Sequence, residues 1–193
     1  MTKRQSKILG GLLGGAVGDA MGAATETRTT ELIKERFGGL VKDIIAPPDD
    51  TYAHGSKAGM VTDDFSMAFY AAEDIVAAGG QVTTEIANRS LLRWASHPEY
   101  AKCAGPTTRD AIAILKGNPP APTKYDNLLC DNRRATNGAG MKSGPLGLID
   151  AFNVDKAIDD TIIFCQTTHN NVIALSAACA ITAAVSKSMN DNA

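Results

Sequence analysis

The chain has 193 residues, 44% of them hydrophobic and 21% charged, which predicts one globular domain, 1–193, able to bury a core without disulfide or metal staples. A formal net charge of −2 shows no basic excess pointing to nucleic acid, and no polybasic run points to anionic lipid. Aromatics are only 5% while glycine numbers 18, so close-packed helices with small side chains at their contacts are expected.

The apolar spacing is helical from the start. The segment "KILGGLLGGAVGDAMGAA" follows basic residues, but its uncharged run is too short to span a bilayer and Asp19 interrupts it, so neither a membrane helix nor a leader is expected. A first helix is predicted over 6–23, with Gly10, Gly14, Gly18 and Gly22 at every fourth place. Each glycine inside a helix costs about 1 kcal/mol relative to alanine, so this stripe predicts a neighbouring helix whose backbone comes close. A short helix follows over 29–37, closed by Gly38-Gly39, and 40–58 carries turn chemistry in "PPDD" and "HGSKAG". The best strand candidate is a weak one, "VKDIIAP" at 41–47.

A third helix is predicted over 63–78, with Met67, Ala71, Ile75 and Ala78 on one face and Gly79-Gly80 as its stop. A fourth covers 83–96, capped by Thr83 or Thr84, and a fifth covers 107–117. A polar, proline-rich connector occupies 118–138, and helix resumes over 138–151, 155–166 and 170–187. The fold class is all-α, with function carried on the loops. Cysteines stand at 103, 130, 165 and 179 with no CxxC pair; Cys165 and Cys179 lie in apolar segments as small hydrophobes, and reduced thiols in a cytoplasmic protein account for the set.

Four places can carry chemistry. Thr62-Asp63-Asp64 offers three hard oxygen donors within three residues, one flank of a Mg²⁺ or Mn²⁺ site. The same residues also suit a helix start, threonine as cap and the acids in the first turn. Asp19 and Glu26 lie two turns apart and share a face if the helix persists; Asp19 serves equally as a structural acid capping another segment. In "TNGAGMKSGPLGL" (136–148), Gly138 and Gly140 allow close backbone approach of the kind that binds phosphate, or simply make a turn. Thr168-His169-Asn170 precede a long apolar helix, with His169 either packed behind the cap or facing a ligand.

Together, "GGLLGGAVGDAMGAATE", "VTDD" with Met67, "GPTTRDAI", "NGAGMKSGPLGL" and "TTHNNVIALSAACA" resemble the ADP-ribosylglycohydrolase family, in the family's order and over most of the chain. The resemblance implies an orthogonal multi-helix bundle with a dinuclear Mg²⁺ or Mn²⁺ centre, cleaving the glycosidic bond at C1″ of ADP-ribose conjugates. It implies Thr62, Asp63 and Asp64 as metal ligands and Glu26 as the catalytic or metal-linked carboxylate. Asn137, Gly138, Ala139, Gly140 and Met141 would line the diphosphate and ribose, and His169 would approach the ligand. The implied partner is an ADP-ribosylated protein or a small ADP-ribosyl compound.

The sequence departs from that pattern where Phe65 follows "TDD" in place of Thr or Ser, and near Cys103, where many members carry an Asp. No Asp-x-Asp-Thr motif occurs, "DKAIDDTII" (155–163) being a lookalike in the wrong place. The expectation is therefore a bundle lacking the C-terminal helices. Its exposed faces would be covered by an oligomer or a second chain; it would either hydrolyse ADP-ribose conjugates or, as an inactive family fragment, bind ADP-ribose or act as an assembly partner. The plainest alternative is an α-helical protein that uses "TDD" only as a cap.

Overall fold

Nine α-helices order the residues described by the computed structural model, which are 1–122 and 132–190. They are α1 (Lys3–Gly22), α2 (Thr30–Phe37), α3 (Asp63–Ala77), α4 (Thr84–Trp94), α5 (Pro98–Ala101), α6 (Pro106–Leu115), α7 (Gly144–Ile149), α8 (Val154–Cys165) and α9 (Val172–Ser188), with a single 3-10 turn at Asn132–Arg134. No strand occurs among the described residues, and the candidate at 41–47 is irregular chain. Cys130 and part of the connector fall outside the described residues.

Local chemistry sets most boundaries. Thr2 and Gln5 form a capping box at the start of α1; Thr29, Thr62, Thr83, Asn153 and Asn171 each accept a backbone N–H at the start of a helix. Gly38 closes α2 in the left-handed region (φ 73°), and Gly79 and Gly80 close α3 at φ 70° and 84°. One predicted helix is shortened: residues 137–143 are turns, and α7 begins only at Gly144 with Pro145 in its first turn.

α9 is the hub. Ala174, Ala178, Thr182 and Ser186, one every four residues, are buried on its inner stripe against α7 and α8. At Gly147 the backbones come so close that a Cβ would stand 2.5 Å from the Thr182 carbonyl. Hydroxyls stitch the contact: Thr161 donates to Thr182 Oγ1 (2.9 Å), Thr182 to the Ser143 carbonyl (3.1 Å), and Ser186 to the Asp150 carbonyl (2.7 Å). α3 packs on α4 and α7, and α4 on α8, around Ile75, Ile86, Leu146, Phe164 and Cys165. A second cluster gathers Met67, Leu91, Trp94, Ala104 and Ala111.

α1 lies over α3 and α7, tied to the end of α9 by Lys7, whose ammonium donates to the carbonyls of Ser188 (2.9 Å) and Asn190 (2.7 Å). The glycine stripe does not make the predicted backbone contact. Gly10, Gly14, Gly18 and Gly22 meet nothing within 4 Å, whereas Gly11 rests against Leu148 and Gly15 against Phe65, at 3.2 and 3.0 Å from an added Cβ. Among the described residues no helix is long and apolar enough to cross a membrane.

Candidate functional site

α3 begins at a point fixed from two sides. Asp19, on α1, accepts the Thr62 N–H (2.8 Å), the Thr62 hydroxyl (2.6 Å) and the Phe65 N–H (3.0 Å). From behind, the fully buried Trp94 donates its indole N–H to Ser66 Oγ (2.8 Å), and Ser66 donates to the Thr62 carbonyl (2.5 Å). Asp19 is thus the capping acid of another helix, and Thr62 has one oxygen lone pair left after accepting the Asp64 N–H (3.3 Å).

This cap leaves Asp63 and Asp64 in the first helical turn, each partly buried. Burial, then Asp64, with Glu26 and Asp19 adding, pushes the Asp63 carboxyl up to about 7. Burial, then Asp19 and Glu26, pushes Asp64 up to about 6. Burial and Asp19 also raise Glu26. α1 stops at Gly22, so Glu26 does not sit on a continued helical face. A turn containing Thr27 in the left-handed region (φ 60°) returns it to the same cavity as Asp19.

That cavity holds about 490 Å³ and is walled by Asp19, Glu26, Thr62, Asp64, Asn137 and Met141, with Gly18 and Gly22 along its α1 side. A smaller cleft of about 30 Å³ continues past Asn137 and Met141 to Asp63, Thr136, Gly138 and His169. Eight of the ten expected site residues thus line one or the other of these two neighbouring cavities, which share Asn137 and Met141. Ala139 and Gly140 are the two that do not. Ala139 is fully buried in the core, its carbonyl accepting from the Cys165 thiol (3.5 Å), and Gly140 backs onto Ile181 of α9.

His169 is packed rather than projecting. It is almost fully buried, with Nδ1 bonded to Thr168 Oγ1 and Nε2 to Thr136 Oγ1, both at 2.8 Å, and burial followed by Lys142 lowers it to about 4, so the ring is neutral at pH 7. Its ring lies on Gly138, where an added Cβ would stand 2.3 Å from Cε1. The cap of α9 is Asn171, two residues further on.

The departures have structural outcomes. Phe65 fills the space over Gly15 and walls the large cavity. Cys103 donates its thiol to the Tyr52 carbonyl (3.8 Å); burial, then Asp63, raises it to about 11, so it stays protonated. Asp160, in the lookalike motif, accepts from Lys156 (2.5 Å), which also donates to Asp150 (2.6 Å). Sequence reasoning missed Thr136 and Lys142; a lone lysine between glycines and apolar residues in "GAGMKSGPLGL" was the available signal.

The donor set fits a divalent cation on one side. Oxygens of Thr62, Asp63 and Asp64 are hard ligands, and both carboxyls are raised, first by burial and then by the neighbouring acids. Among the described residues, no three His, Cys, Asp or Glu side chains close on one point, so the set is a flank and not a cage.

The family model for ADP-ribosylglycohydrolase matches residues 1–193. The chain belongs to the ADP-ribosylglycohydrolase family. A curated relative, YegU of Escherichia coli (strain K12), described as an uncharacterized protein, is 32% identical over 191 residues, covering 97% of this chain and 55% of its own. The chain thus spans about half the length of that relative.

Proposed function

We propose that this chain carries the cation-binding flank and part of the substrate wall of a cytoplasmic hydrolase that cleaves the C1″ glycosidic bond of ADP-ribose conjugates. One observation carries the reading: within a chain of this family, Glu26 and Asp64 line one cavity and Asp63 the cleft beside it, and burial together with the neighbouring acids raises all three carboxyls. Thr62, Asp63 and Asp64 would hold Mg²⁺ or Mn²⁺, which when bound supplies Lewis acidity toward the ribose and the attacking water.

The chain's own groups do the rest. Asp19 holds the Thr62 hydroxyl in one orientation and keeps the first turn of α3 in place. Breaking the bond at C1″ builds positive charge on the ribose, and the carboxylates of the wall stabilise it. Glu26, on the cavity wall with its carboxyl raised by burial and by Asp19, is placed to move a proton at the reacting centre. Asn137 and Met141, at the junction of the two cavities, border the ribose and diphosphate.

The test is release of ADP-ribose from arginine- or serine-ADP-ribosylated peptides, with and without added Mn²⁺. Turnover that needs the metal, and that falls about 10²–10⁴-fold in Glu26→Gln, supports the proposal. A second reading, binding of ADP-ribose without turnover, is favoured by the lack of three converging acids among the described residues. Calorimetric binding of ADP-ribose with no product under any metal would select it.

A further inference from the structure

We infer that Lys142 is a positioning residue: from the buried end of the chain Lys142–Thr168–His169–Thr136 it sets the direction of every hydrogen bond, so that the Thr136 hydroxyl offers its hydrogen to an acceptor oxygen of the ligand.

Lys142 is almost completely buried and lies in the turn segment, 137–143, that also carries Asn137 and Met141. No carboxylate among the described residues pairs with it. Its Nζ lies 2.6 Å from Thr168 Oγ1 and 5.4 Å from the centre of the Phe164 ring, which favours the cation over its face. An ammonium group only donates. Thr168 therefore accepts from Lys142 and has a single hydrogen to place. Two acceptors are in reach: the Cys165 carbonyl at 3.4 Å and His169 Nδ1 at 2.8 Å. The shorter contact takes it.

With Nδ1 accepting, the neutral imidazole carries its proton on Nε2, which donates across 2.8 Å to Thr136 Oγ1. Thr136 is exposed and lies on the wall of the cleft that also contains Asp63. Its own hydrogen is then free to point outward. Gly138 makes the geometry possible, because no larger residue leaves room for the His169 ring. Burial lowers Lys142 from its usual range, and a lysine that lost its charge would let the chain reverse.

Only the last step, the ligand oxygen, rests on the proposed ADP-ribose cleft. The direction of the chain is read directly, from long-range ¹⁵N–¹H NMR of the full chain at pH 7, with the His169 signals assigned by loss in His169→Gln. The expected wild-type state is the Nε2–H tautomer, kept in Lys142→Arg and shifted toward Nδ1–H in Lys142→Met. Wild-type His169 in the Nδ1–H form overturns the inference even if Lys142→Met does not fold, and so does an unchanged tautomer in a folded Lys142→Met. For the last step, Thr136→Val is expected to weaken ADP-ribose binding about tenfold by calorimetry, with Thr136→Ser restoring it. Equal binding by Thr136→Val overturns that step. Failure of the wild type to bind ADP-ribose counts against the proposed function and leaves the tautomer result standing.

Discussion

Asp19 and Asp63 show how one side-chain type takes opposite roles a few ångströms apart. Asp19 has three donors on its two oxygens, whereas burial and neighbouring acids raise the Asp63 and Asp64 carboxyls. Their folded values, about 7 and 6, lie above the unfolded value of 3.8, so the folded state holds protons that the unfolded state releases. The stability this gives is present below pH 3.8 and is lost as pH rises through 6 and 7. His169 runs the other way: lowered to about 4 from 6.5, it contributes above pH 6.5 and loses that contribution as pH falls through 4. We therefore expect Asp63→Asn/Asp64→Asn in EDTA to be more stable than the wild type at pH 8, with the difference vanishing near pH 4. Mn²⁺ at pH 8 should raise the wild-type Tm and leave the double variant unmoved. A wild-type Tm indifferent to Mn²⁺ at pH 8 would count against cation binding at this flank.

At the scale of helices, the close approaches decide. Gly147→Ala would drive a Cβ into the Thr182 carbonyl and the Ser186 N–H, backbone atoms of α9 that have little freedom to yield. A loss of about 1–3 kcal/mol or more is expected by urea denaturation. Gly14→Ala, which meets nothing within 4 Å, should instead gain up to about 1 kcal/mol from helix propensity. The contrast marks what was legible in the sequence. Starts at Thr29, Thr62 and Thr83 and stops at Gly38 and Gly79 were readable, because caps are local chemistry. The phase of the α1 glycines was not, because a four-residue repeat fixes a stripe and not the neighbour that meets it. The four-residue α5 was too short to show a period, and the start of α7 is set by Pro145 in its first turn, with no helical apolar spacing over 138–143 to place it earlier. The acids of the site were legible as a cluster; Lys142 and Thr136 were not, since their partners lie 26 and 33 residues away.

Seen whole, the molecule buries α1 poorly. Leu9, Leu13 and Val17, one turn apart, are 45%, 56% and 45% exposed beside the open glycine stripe. Leu9→Gln/Leu13→Gln should therefore change the stability of this chain by no more than about 0.5 kcal/mol per site, while reducing any concentration-dependent association seen by sedimentation. A large loss of stability would mean that this face is packed in solution. The opposite side of α3 is sealed, and it holds the sole tryptophan of the sequence, Trp94, joined through Ser66 to the carbonyl of Thr62. The protein thus carries its own optical reporter. Indole emission, blue-shifted while the ring stays dry, should register any rearrangement at the mouth of the acidic cavity without a dye or a label.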